Sequence, residues 1–118
     1  MQAKLTLPPP SKVKSLDEAL AALTKQPKTK RANISGWHCG QKDEPDGHDE
    51  YYDLLGGLLD INVIRAFKSK ECILIKIRAG HIGLTSSPDL LLYAARELQK
   101  ARRWIAAVNT RLGVKYAS

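Results

Sequence analysis

The chain has 118 residues, 43% of them hydrophobic, and a formal charge of +7. That length suits one domain with a real core, and no apolar run approaches the roughly 18 residues of a membrane-spanning helix. Met1 to Pro10 lacks the apolar stretch of a secretory signal, so the expectation is a cytoplasmic protein with no membrane partner. Its two cysteines, Cys39 and Cys72, are fewer than a disulfide-stapled scaffold of this size carries.

The charge alternates along the chain. Up to Arg31 it is basic, from Lys42 to Asp60 it is acidic (Asp43, Glu44, Asp46, Asp49, Glu50, Asp53), and from Arg65 onward it is basic again. A surplus of cations favours an acidic partner, of which nucleic acid is the commonest.

Taken in order, residues 1–14 contain Pro8-Pro9-Pro10 and read as a flexible arm, since three prolines favour an extended backbone. Residues 15–118 read as a single α+β domain. Ser15 with Glu18 three positions later forms a capping box, predicting a short helix from Leu16 to about Lys25 that stops before Pro27. Asn33 to Cys39 reads as a strand, and Gly40 to Gly47 as a charged loop.

From Asp49 to Asp60 two readings compete. Tyr51, Leu54, Leu55 and Leu58 fit one face of a helix, whereas Gly56-Gly57 fits a hairpin turn. The hairpin sets Asp53 opposite Asp60, which is unfavourable, so a short helix is preferred. Ile61–Phe67 and Cys72–Arg78 are β-branched strands, with Ile61, Val63, Phe67, Ile73, Ile75 and Ile77 sharing one face. His81 to Thr85 reads as a short further strand.

The last element is the plainest. Ser87 caps, Pro88 suits the first helical position, and Gly113 stops the helix. Leu91, Ala94, Leu98, Ala101, Ile105, Val108 and Leu112 form its apolar stripe. The expected architecture is therefore a small antiparallel sheet of three to four strands, with this long helix and one or two shorter ones on one face.

No catalytic signature emerges. His38, Cys39, Asp46, His48, Asp49 and Glu50 include metal-ligating types, but their spacing matches no structural zinc pattern, and a solvated acidic loop explains them. Asp60, Glu71 and Lys76 do not reproduce a nuclease arrangement, because Ile73 stands where a lysine is wanted. Adjacent His38 and Cys39 would point to opposite faces of a strand. No cofactor is assigned, and an enzyme is the less favoured class.

A basic surface is the better candidate. Arg96, Lys100, Arg103 and Arg111 lie roughly opposite the apolar stripe of the last helix; Lys76 and Arg78 offer a second patch, and Lys28, Lys30 and Arg31 a third. Such groups track phosphates, with Trp104, Trp37 and Tyr93 available for stacking. The expected partner is nucleic acid or an acidic protein surface. The rival reading is a protein-interaction or inhibitor domain, a homodimer included, acting through Leu90, Leu92, Trp104 and Trp37.

Overall fold

The computed structural model describes residues 4–37, 47–66, 72–80 and 87–114, with backbone alone for 32–37, 66 and 72. The first helix, α1 (Leu16–Thr24), is followed by four strands, β1 (Lys30–Trp37), β2 (Gly47–Leu54), β3 (Leu59–Ala66) and β4 (Cys72–Ala79), and by α2 (Pro88–Leu112). The strands form one antiparallel sheet in the order β1-β2-β3-β4. This is an α+β chain with a long C-terminal helix. The proposed strand at His81–Thr85, Phe67, and the metal-type residues His38, Cys39 and Asp46 lie outside the described residues.

The helix ends obey their local chemistry. The Ser15 hydroxyl accepts from the Glu18 amide at 3.1 Å, while the Glu18 carboxylate accepts from the Lys14 amide at 2.9 Å. Ser87 accepts from the Leu90 amide, and Gly113 closes α2 at φ 71°, letting the Val114 amide reach back to the Asn109 carbonyl.

Residues 49–60 are not a helix. β2 and β3 form a hairpin with Leu54 opposite Leu59, joined by a single 3-10 turn over Leu55–Gly57. Asp53 does stand opposite Asp60. The flanking strands resolve the conflict: Lys30 of β1 is the partner of Asp53, and Arg78 of β4 is the partner of Asp60. The row reads plus, minus, minus, plus, so each carboxylate has a cation on its other side. The turn also demands glycine at Gly80. A Cβ there would fall 1.9 Å from the Gly57 carbonyl oxygen, against which the Gly80 backbone packs, its amide bonded to Leu58 O at 2.9 Å.

One face of the sheet enters the core. Leu54, Leu59, Ile61, Val63, Ile73, Ile75 and Ile77 are buried together with Leu20 and Leu23 of α1 and Ala101, Ile105 and Val108 of α2. The β3 and β4 faces are those that alternation predicts.

Three expectations for the helices and termini fail. Leu91, assigned to the core, is 49% exposed. The reason is length: Arg102 already sits beside Ile77, and the eleven residues back to Leu91 carry the helix about 16 Å further, while β4 continues only two residues, about 7 Å. The helix overruns the sheet. Trp104, expected as an exposed interface or stacking residue, is 7% exposed. And residues 4–14, expected as a flexible arm, are docked, with Leu5 and Val13 inside the core cluster.

The docking follows one row of α2. Glu97, Trp104 and Arg111 are spaced by seven residues and so share a flank. Glu97 accepts from the Leu5 amide at 2.7 Å, the Trp104 indole donates to the Pro8 carbonyl at 2.6 Å, and Arg111 donates to the Val13 carbonyl. The first segment thus runs parallel to α2, over about 21 Å of helix. Gln26, just past α1, grips the same segment by accepting from the Thr6 amide and donating to the Thr6 carbonyl, both at 2.9 Å.

Candidate functional site

Two groups of charged side chains stand out, one buried and one exposed. The buried group centres on Glu50. Successive even positions of β2 face the core side, so the sequence His48-x-Glu50-x-Tyr52-x-Leu54 sends all four side chains the same way. The Glu50 side chain is 5% exposed. Its carboxylate accepts from Arg31 at 3.0 Å, Tyr52 at 2.8 Å and Arg65 at 2.5 Å, and meets His48 Nε2 at 2.8 Å. Arg65 donates also to Asp17 of α1 at 3.0 Å, and the Arg31 guanidinium lies 5.9 Å from the centre of the Tyr52 ring.

Burial by itself would raise the Glu50 pKa. The hydrogen bonds from Tyr52, His48, Arg65 and Arg31 overcome it and bring the value down to about 2. Burial, then the bond to Glu50, raises the pKa of Tyr52, so this phenol stays a donor. A carboxylate so acidic and so enclosed is a poor proton acceptor, and its donors are spent on it. Its evident work is to join β1, β2, β3 and α1. Arg31, expected in a binding patch, is committed to this hub, although half its side chain is exposed.

The exposed group lies on α2 and the segment docked beside it. Lys4, Arg96 and Lys100 surround a cleft also lined by Asp89, Leu92, Tyr93 and Glu97. Arg103, one turn beyond Lys100, is exposed as well. Not all predicted cations are available. Lys100 is bonded to Glu97 at 3.0 Å and reaches the Leu5 carbonyl at 3.4 Å, and Arg111 is held by Val13. Arg96 and Arg103 make no ion pair with a described residue.

Lys76 and Arg78 are exposed on the outer sheet face, opposite the face that carries the buried hub, and Lys30 is exposed on β1 at the far edge. The structure therefore separates the three predicted patches instead of merging them. Of the apolar interface residues, Leu92 is 51% exposed and joins Leu91, Leu90 is half-buried, Trp104 is buried, and the Trp37 side chain lies outside the described residues.

Sequence reasoning missed Glu97 and Glu50 as anchors. The signals were present: a seven-residue repeat of Glu97, Trp104 and Arg111, and a period of two through His48, Glu50 and Tyr52. Neither is apolar, so neither registers as a structural stripe.

No family model, curated protein or solved structure matches this chain.

Proposed function

We propose that this protein is a small, non-enzymatic binding module whose cationic flank on α2 takes an acidic partner, with nucleic acid first. The observation that carries this reading is the pair Arg96 and Arg103. Both are exposed, seven residues and so about 10 Å apart along one helix, and neither is neutralised by a described carboxylate. Lys4, brought alongside by the docked segment, adds a third charge. Helix α2 is held by the sheet below and by the hydrogen-bonded row to residues 5–13, so its guanidinium groups project from a rigid base.

The burial of Trp104 narrows the reading. With that ring inside, stacking on this flank is left to the half-buried Tyr93, and the contacts of Arg96 and Arg103 fall on phosphates, which position a nucleic acid without reading its sequence. The test is charge reversal. Arg96→Glu with Arg103→Glu should weaken binding of a random-sequence oligonucleotide by at least about tenfold and leave the melting temperature unchanged. Unaltered affinity would reject the surface.

A second reading has one observation in its favour. Leu91 and Leu92 are the exposed large hydrophobic residues of the described chain, side by side where α2 overruns the sheet. That is the composition of a protein contact with a cationic rim. If this patch is the interface, replacing both with glutamine abolishes self-association, whereas Arg96→Glu with Arg103→Glu leaves it unchanged.

A further inference from the structure

The cleft between α2 and the docked segment has a volume of about 540 Å³, within the range of small-ligand sites. It is polar along its length. Asp89 stands at one end of the α2 wall, and Arg96 follows seven residues, about 10 Å, further along the helix. Between them, about one turn after Asp89, the half-buried Tyr93 lines the same wall. Lys4 lines the cleft from the docked segment. It precedes the residue whose amide is bonded to Glu97, which sets it at the Arg96 end.

These charges sort the two ends of a ligand. The buried Glu97 carboxylate is already offset by Lys100 at 3.0 Å and by the Leu5 amide at 2.7 Å, so Arg96 and Lys4 decide the sign at their end. A phosphate is attracted there and repelled by Asp89 at the other. The Asp89 carboxylate only accepts hydrogen bonds, and every unpaired nucleobase offers an N–H on its pairing edge. Tyr93 supplies an aromatic ring between the two. Burial, then the charge of Glu97, raises its pKa, so the phenol keeps its proton and adds no charge to the cleft.

The geometry points to a subsite for one unpaired nucleotide of a single strand, with its phosphate between Lys4 and Arg96, its base on the Tyr93 ring and the pairing edge of that base toward Asp89. The exposed Arg103, about 10 Å beyond Arg96, then takes a phosphate further along the strand. A duplex reaches the cations alone, because its bases are stacked on one another and their edges are paired. This inference rests on the nucleic-acid reading of the α2 flank and narrows it to single strands.

The probes are a fluorescein-labelled, mixed-sequence DNA strand of twelve nucleotides and the same strand annealed to its complement, each titrated with the full chain at one salt concentration. Phosphate contacts alone favour the duplex, whose charge density is higher, so preference for the single strand reports base contacts. The single strand should bind at least about tenfold more tightly than the duplex. Tyr93→Ala should remove that preference and leave duplex affinity unchanged, which also shows that the variant folds. Tyr93→Phe should keep the preference, since the ring stacks without its hydroxyl. Adenosine 5′-monophosphate should displace the strand only in large excess, because it does not reach Arg103. Equal affinity for strand and duplex, a preference that survives Tyr93→Ala, or displacement by the mononucleotide near stoichiometry would each overturn the subsite while leaving the cationic flank in place. Binding of neither probe would overturn both readings together.

Discussion

The indole nitrogen of Trp104 lies 2.6 Å from the carbonyl oxygen of Pro8, and that bond joins the last helix to the first described segment of the chain. It is the middle rung of a row whose outer rungs are Glu97 to Leu5 and Arg111 to Val13. The row accounts for the place of Leu5 and Val13 in the core although a proline run follows the first of them. Proline has no amide to satisfy; the Pro8 carbonyl accepts from α2, and those of Pro9 and Pro10 accept from the Lys12 and Val13 amides. The expected outcome is that the Leu5 amide exchanges slowly with deuterium, since it donates to a buried carboxylate, and that Trp104→Phe costs about 1 kcal/mol. Exchange at the rate of an unstructured peptide would show that this segment is not docked.

A chain shortened to begin at Ser15 should be less stable by several kcal/mol, on the order of 4, from the lost burial of Leu5 and Val13 and the orphaned Glu97 carboxylate. Chemical denaturation of the two chains measures it. Equal midpoints would contradict the docked arrangement.

Glu50 makes folding sensitive to acid. Its carboxyl titrates near 4.5 in an unfolded chain and at about 2 in the folded one. A lowered folded value contributes stability that is complete above about pH 4.5 and lost as the pH falls toward 2. The contribution is on the order of 3 kcal/mol. Thermal melts from pH 5 to pH 2 should fall steeply for the unaltered chain and much less for Glu50→Gln, which is already destabilised at pH 5 because Arg65 keeps only Asp17. Parallel pH profiles for the two proteins would rule out this role.

Gly80 has no room for a side chain, because an added Cβ would collide with the Gly57 carbonyl, a backbone atom that cannot swing away. Gly80→Ala should destabilise by roughly 2 kcal/mol or more. A melting temperature equal to that of the unaltered chain would mean that the β2–β3 turn and the end of β4 lie further apart than described.

The four-residue row Lys30, Asp53, Asp60, Arg78 should show coupling. Arg78→Ala alone is expected to cost about 0.5–1 kcal/mol, and the same change made in an Asp60→Asn background much less. Strict additivity in that double-mutant cycle would indicate that the two aspartates do not need their flanking cations.

This row also explains where the sequence was legible and where it was not. Capping residues are local, so Ser15, Glu18, Ser87, Pro88 and Gly113 place both helices within a residue or so. Alternation is local too, and it assigns the faces of β3 and β4 correctly. With two strands alone the pairing of Asp53 with Asp60 is unfavourable, whereas its electrostatics are set by four. The neutralising Lys30 and Arg78 become neighbours only in the finished sheet. Likewise the partners of Glu97, Trp104 and Arg111 are more than 90 residues away in sequence, so a proline-rich start looked like an arm. Of the cationic surface, position on the helix wheel was readable; the commitment of Lys100 to Glu97 and of Arg31 to Glu50 was not.

The most direct test of the binding surface is the salt dependence of oligonucleotide affinity, measured for the unaltered chain and for Arg96→Glu with Arg103→Glu. With Lys4, Arg96 and Arg103 each meeting a phosphate of duplex DNA, the logarithm of affinity should fall against the logarithm of salt with a slope of about −3, and the variant should lose about two thirds of that slope. A slope near zero for the unaltered chain, or one that the variant leaves unchanged, would contradict a phosphate-binding flank on α2.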